Sequence, residues 1–123
     1  AGIYDYGDYG PTPWSGLPNC FPSTGEELVR DTIEKRLLYA QSLEAIRAIE
    51  DGVIENPIDA DVGSVLGWAF PSAYGGVIGL VHTHGISQFV AECDALKNEF
   101  GGRFEAPQLL LDMAGRNDTF FQD

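Results

Sequence analysis

The sequence has few basic residues. Lys and Arg number 7 against 19 Asp and Glu, which gives a formal net charge of −12 at pH 7. Nucleic acids and anionic membranes both favour proteins with clustered Lys and Arg. The composition therefore argues against both partners, and most of the acidic excess is expected to serve solubility.

Cysteine is also scarce, and long apolar runs are missing. Cys20 and Cys93 are the only cysteines and form no CxxC motif, which favours reduced thiols of an intracellular protein over a disulfide. No apolar run approaches the ~18 residues of a membrane span, and no signal peptide is visible. The first residue is Ala1 rather than Met, so we expect a processed start or a domain of a longer protein.

Motifs for nucleotides and calcium are incomplete. Gly63-x-x-x-Gly67 and Gly75-Gly76-x-x-Gly79 follow no predicted strand and do not complete GxGxxG, and no GK[ST] exists. We therefore expect these glycines to cap helices or allow close packing, and no dinucleotide to bind. Asp59-x-Asp61 lacks the glycine and the final Glu of a calcium loop.

Residues for catalysis or metal binding are equally sparse. His82 and His84 lie two apart, so their rings project to different faces of a helix, and no third metal ligand is evident. We expect partly exposed histidines at a helix C-terminus, where the dipole favours them, with a general base as the alternative. There is no GxSxG nucleophile, and Cys93 falls on an apolar helix face, as a small buried side chain does.

The sequence does contain one long helical stretch, predicted from about residue 26 to residue 52. Thr24 with Glu27 fits a capping box at its start. Gly52 is the expected stop, because glycine enters a left-handed C-cap without steric cost. Apolar residues over 37–49 cover most of the helix circumference, a pattern typical of a helix that other helices surround. We predict that this helix is the core of the domain.

Four shorter helices are predicted after it. Their boundaries are marked by glycine, proline and capping residues: Asn56 and Pro57 to Gly67, Val77 to Thr83 with a stop at Gly85, Ser87 to Gly101, and Pro107 to Gly115. No convincing strand is present, so the predicted fold class is all-α, a helical bundle around the long central helix.

Residues 1–23 differ from the rest of the chain. Their glycine and proline content opposes long regular structure, whereas a flexible linker would lack their aromatic residues. We expect an irregular arm that lies across the helical domain of residues 24–123, with a disordered linker as the alternative.

Two charged residues, Glu44 and Arg47, lie on the most apolar part of the long helix. Residues three apart share a helix face, and either charge buried alone would be strongly destabilising. We expect them to form a buried structural tie that fixes the following loops. A substrate-facing carboxylate and an exposed pair are the alternatives.

The run from Arg36 to Val77 resembles the C-terminal helical domain of 3-hydroxyacyl-CoA dehydrogenases, most closely the last such domain of multifunctional fatty-acid β-oxidation enzymes. The opening Gly2-Ile-Tyr-Asp-Tyr6 is similar to the GFYxY that closes a preceding copy of that domain. The matching features of the run are Glu44 in mid-helix, Gly52-Val53-Ile54, Asp59-Ala60-Asp61, Gly67, Phe70-Pro71 and Gly75-Gly76. In the tail they are Gly85, Phe89, Arg103-Phe104, Pro107 and Leu110.

This resemblance implies a fold like the C-terminal domain of 6-phosphogluconate dehydrogenase and a parent enzyme that transfers hydride from a 3-hydroxyacyl-CoA to NAD. The family's NAD-binding domain and catalytic His–Glu pair are absent from this sequence, so no catalytic residue, bound cofactor or metal is implied here. The implied partners are the NAD-binding domain, the first-copy helical domain, acyl-CoA through the parent, and a thiolase subunit. The implied location is the bacterial cytoplasm, or the mitochondrial matrix or peroxisome of a eukaryote.

Two positions depart from the family pattern. Lys35-Arg36 stands where an active copy carries Asn-Arg, with that Asn on the substrate, and His82 stands where the family has Asp. The resemblance thus implies a degenerate second copy that packs against the active one as a pseudo-dimer partner. The residues expected to face substrate or interface are Lys35, Arg36, Phe70, Pro71, Gly75 and Gly76. The alternative is a stand-alone, non-catalytic interaction module that binds through the loop from Trp68 to Gly76.

Overall fold

The computed structural model describes residues 2–25 and 29–121, which form six α-helices and one two-stranded sheet. The all-α fold class is confirmed. The elements in chain order are β1 (Tyr4–Gly7), β2 (Gly10–Pro13), α1 (Leu17–Cys20), α2 (Arg30–Glu50), α3 (Pro57–Trp68), α4 (Val77–His84), α5 (Ile86–Phe100) and α6 (Gln108–Arg116), with 3-10 turns at Ser72–Tyr74 and Gly102–Phe104.

The central helix α2 begins later than predicted. Val29 is extended (φ −66°, ψ 129°) and the helix starts at Arg30, so the predicted start near residue 26 is wrong. The capping box of Thr24 and Glu27 falls partly outside the described residues, because Glu27 is not among them. The predicted stop is confirmed, since Gly52 has a φ of 71°.

The core lies between α2 and the later helices. Helix α2 packs against α4 and α6, α3 against α4, and α5 against both α4 and α6. Burial of each large apolar side chain stabilises the fold by about 1.5–3 kcal/mol, so the buried apolar side chains of this core supply most of the stability. The largest fully buried side chains include Tyr39, Leu43, Ile46, Ile78, Leu80, Phe89 and Leu110.

One face of α2 is not covered by the bundle. Leu37 is 62% exposed, and Ile33 is 38% exposed. The predicted bundle around α2 is confirmed, since Tyr39, Leu43 and Ile46 are buried by the other helices. The apolar residue Leu37 is the exception, because no other helix of the described chain covers it.

The shorter helices follow the predicted boundaries with two exceptions. Asn56 caps α3 as predicted, with its Oδ1 accepting from the backbone N–H of Ile58 at 3.0 Å. Helix α5 starts at Ile86 with Gly85 before it, so Ser87 is not its cap. Helix α6 continues past Gly115 to Arg116, and Asn117 takes the left-handed C-cap with a φ of 57°. Asn tolerates that conformation better than most residues.

The N-terminal segment contains regular structure. Strands β1 and β2 pair antiparallel, with Tyr4 opposite Pro13 and Tyr6 opposite Pro11, and Gly10 adopts a φ of 99° just after the turn. The expectation of an irregular arm is therefore corrected to a β-hairpin followed by the one-turn α1. Within residues 2–25 and 29–121, the hydrogen bonds of the first segment stay inside it, and Tyr6 is 83% exposed.

Among the described residues, no helix combines the length and the apolar character that a membrane crossing requires.

Candidate functional site

The carboxylate of Asp61, which is largely buried, joins α3 to the start of α4. The Oδ1 of Asp61 accepts from the backbone N–H groups of Ile78 at 2.6 Å and Gly79 at 3.1 Å, and its Oδ2 also accepts from Gly79 at 3.1 Å. These N–H groups belong to the first turn of α4, which has no intrahelical partners for them. A side chain of α3 thus caps α4, and the charge suits the positive end of that helix.

Ser64 completes this cap. Its hydroxyl donates to the backbone carbonyl of Asp61 at 2.8 Å and accepts from the N–H of Val77 at 3.3 Å. Ser64 is fully buried and Asp61 is 9% exposed. The side chains of α3 and the backbone of α4 are therefore fixed to each other away from water.

Glycine is required where α4 approaches α3. Gly76 has a φ of 137°, and a Cβ atom there would lie 2.4–2.6 Å from atoms of Asp61. A Cβ at Gly79 would lie 2.3 Å from the carbonyl oxygen of Tyr74. Close packing is thus the role of Gly76 and Gly79, whereas Gly63 and Gly67 meet no such atom within 4 Å.

The loop before α4 does not present the surface that was expected of it. Phe70 is only 3% exposed, and Gly76 is buried against Asp61. Phe70 belongs to the hydrophobic core and Gly76 approaches Asp61 at the α3–α4 junction, so neither residue is exposed at the surface of this chain. Pro71 and Gly75 are exposed and flank the 3-10 turn at Ser72–Tyr74.

Lys35 contributes to a polar network between α2 and α5. Its ammonium lies 3.1 Å from Oε2 of Glu92, which also accepts from the hydroxyl of Tyr39 at 2.6 Å. Gln88 donates to the other carboxylate oxygen at 3.0 Å. The hydrogen bond from Tyr39, then those from Gln88 and Lys35, lower the pKa of Glu92 to about 2. Burial, followed by the bond to Glu92, raises the pKa of Tyr39.

Arg36 makes a different contact. Its guanidinium lies 4.2 Å from the centroid of the Phe100 ring, a cation–π arrangement that joins α2 to the end of α5.

The Glu44–Arg47 pair lies at the surface. The two side chains form an ion pair, but that of Glu44 is 67% exposed, so the expectation of burial is wrong. Arg47 also donates to the backbone carbonyls of Glu105 at 2.7 Å and Arg103 at 3.3 Å. The pair therefore contacts residues 103–105 and not the loops directly after Gly52. Exposure follows from its position beside the uncovered face of α2.

That uncovered face carries two adjoining grooves, of about 510 Å³ and 430 Å³. They share Ala40, Gln41 and Arg103 in their walls. The indole N–H of Trp68 donates to Gln41 at 2.9 Å and fixes one wall. We call these two depressions together the α2 groove, and its lining residues are Ile33, Arg36, Leu37, Ala40, Gln41, Glu44, Ala45, Ala48, Ile54, Ala60, Trp68, Arg103 and Phe104.

The histidines and cysteines do not converge on a reactive centre. His84 Nδ1 lies 2.9 Å from the carbonyl of Leu80, while His82 Nδ1 lies 3.3 Å from Thr119 Oγ1. Cys20 is exposed and Cys93 is buried, and both are free thiols. Burial raises the pKa of Cys93 to about 12, so it is a poor nucleophile. Within the described ranges, no three His, Cys, Asp or Glu residues are grouped to hold a metal.

Sequence reasoning missed Asp61, Tyr39 and Glu92 as the residues that organise the polar contacts. Glu92 lies 53 residues from Tyr39, so no local pattern links them. The one usable signal for Asp61 was the Gly76-x-x-Gly79 pair, which marks a close approach at the start of a helix.

Comparison with known proteins decides between the two functional interpretations. No protein-family model matches the chain. The fatty acid oxidation complex subunit alpha of Shewanella baltica is 35% identical over 106 residues, and that of Shewanella sp. (strain W3-18-1) is 37% identical over 106 residues. Each match covers 86% of this chain and 15% of the relative. The subunit alpha of Acinetobacter baylyi is 33% identical over 99 residues, which are 80% of this chain and 14% of that protein.

The chain belongs, as a small domain, with the fatty acid oxidation complex alpha subunits. This confirms the resemblance to a domain of multifunctional β-oxidation enzymes. A stand-alone interaction module is not favoured. The chain spans only about one seventh of the length of these alpha subunits, so their shared segment is a minor part of a large multidomain protein.

Proposed function

We propose that this chain is a non-catalytic helical domain of a multifunctional β-oxidation enzyme, in which it holds neighbouring domains in position. The observation that carries the proposal is the commitment of its polar side chains to contacts between its own helices. Asp61 caps α4, Lys35 joins α2 to α5, and Arg47 contacts the backbone of residues 103–105. None of these groups is left to hold a substrate.

The position of Lys35 supports this role. The resemblance places a substrate-contacting Asn there in an active copy, whereas here the Lys35 ammonium pairs with Glu92. A side chain held in an ion pair with the adjacent helix is poorly placed to orient a substrate carbonyl or hydroxyl. The domain is therefore a degenerate copy that supports the active one.

In the proposed parent, hydride passes from the 3-hydroxyl carbon of an acyl-CoA to NAD, and other domains bind NAD and carry the catalytic His–Glu pair. The proposed partners are the NAD-binding domain, the first-copy helical domain and a thiolase subunit, and the proposed location is the cytoplasm of a bacterium. NAD supplies the redox chemistry, and this chain supplies rigid support.

Two experiments test the role. Calorimetric titration of the isolated chain with NAD is expected to show no binding at micromolar concentrations, and the chain is expected not to oxidise 3-hydroxyacyl-CoA. Micromolar NAD binding or turnover by the isolated chain would overturn the proposal.

The second experiment uses a chimera. Replacement of the matching segment of the Shewanella baltica alpha subunit by this chain is expected to retain 3-hydroxyacyl-CoA oxidation, whereas deletion of the segment lowers it. The same chimera with Asp61→Ala is expected to lose activity at a lower temperature, because the α3–α4 junction fails first. Asp59→Ala, an exposed acid in the first turn of α3, is the matched control and should behave like the unmodified chimera.

A further inference from the structure

We draw no further inference here: the strongest candidate, the α2 groove with its exposed Leu37 and Trp68, carries no binding proposal, because nothing in the structure shows what covers this face in a chain that spans about one seventh of the length of its relatives.

Discussion

The α3–α4 junction and the outer face of α2 both use a carboxylate to hold backbone or side chains in place, but in opposite surroundings. Asp61 is 9% exposed and accepts from the buried backbone N–H of Ile78 and the partly buried N–H of Gly79. Glu44 pairs with Arg47 while its side chain is 67% exposed. An unmade hydrogen bond is costly only where water cannot replace the partner, and exposed ion pairs contribute little. The junction should therefore govern stability, and the outer face should be tolerant of change.

The largest effect is expected from Asp61→Ala. It leaves the first N–H groups of α4 without acceptors in a buried site, so the free energy of unfolding should fall by about 3 kcal/mol. Urea denaturation of the variant and of Asp59→Ala measures the difference. Asp59 is exposed in the first turn of α3, and its removal should cost no more than about 1 kcal/mol. Equal losses in the two variants would contradict the importance of the buried cap.

Gly76→Ala tests the same junction from the backbone side. The new methyl group would collide with Asp61, and alanine is strained at a φ of 137°, so a loss of about 2 kcal/mol or more is expected. Gly67→Ala is the control, because Gly67 lies inside α3 with no such atom within 4 Å. That change should be neutral or stabilise by up to about 1 kcal/mol. Gly76→Ala should therefore melt at a lower temperature than the unmodified chain, and Gly67→Ala at the same or a higher temperature.

The network around Glu92 should contribute less to stability than the Asp61 cap and more than the Glu44 ion pair, since Glu92 is partly exposed. Its pKa in the folded chain is lowered to about 2 from an ordinary value of 4.5. The contribution of ionised Glu92 to the free energy of unfolding is therefore fully present above pH 4.5, and it is lost as the pH falls from 4.5 to about 2. Partial exposure limits the contribution to about 1 kcal/mol.

Unfolding measured between pH 5 and pH 2 should show this loss in the unmodified chain and a shallower one in Glu92→Gln. Glu99→Gln, an exposed position on the same helix, should keep the original pH dependence. A Glu92→Gln variant with an unchanged slope would show that the Tyr39 and Lys35 contacts do not stabilise the folded state.

The smallest effect is expected from Glu44→Gln, which should change the free energy of unfolding by less than about 0.5 kcal/mol. Arg47 keeps its bonds to the carbonyls of Arg103 and Glu105 in this variant. Arg47→Ala loses those bonds as well and should cost about 1 kcal/mol. Hydrogen exchange of residues 103–105 distinguishes the two, since only Arg47→Ala should accelerate it. Strong destabilisation by Glu44→Gln would remove the contrast with Asp61.

The helix ends that depend on neighbouring residues were the part of the fold that the sequence could predict. Asn56 and Gly52 act on neighbouring residues, so their caps and stops were correctly placed. Ser87 and Gly115 failed because the helix ends lie two residues away, where Gly85 holds the N-cap position of α5 and Asn117 the left-handed C-cap of α6. Boundary errors of this kind are expected wherever two candidates lie close together.

Contacts between distant elements could not be predicted in this way. Asp61 caps a helix 17 residues further on, and Tyr39 bonds to a carboxylate 53 residues away. The periodicity of apolar residues also could not show that one side of α2 lacks a covering helix. An apolar residue such as Leu37 fits the same sequence pattern whether it is buried or exposed. The hairpin was missed since its prolines and glycines suggested irregular structure, although prolines are tolerated in edge strands.

The unequal burial of the two cysteines makes the chain convenient for spectroscopy. Burial raises the pKa of the Cys93 thiol to about 12, while Cys20 is exposed in α1, just after the hairpin. A maleimide fluorophore or nitroxide should therefore attach to the native chain at Cys20 alone. Such a label would report distance and mobility at the N-terminal segment without any engineered substitution.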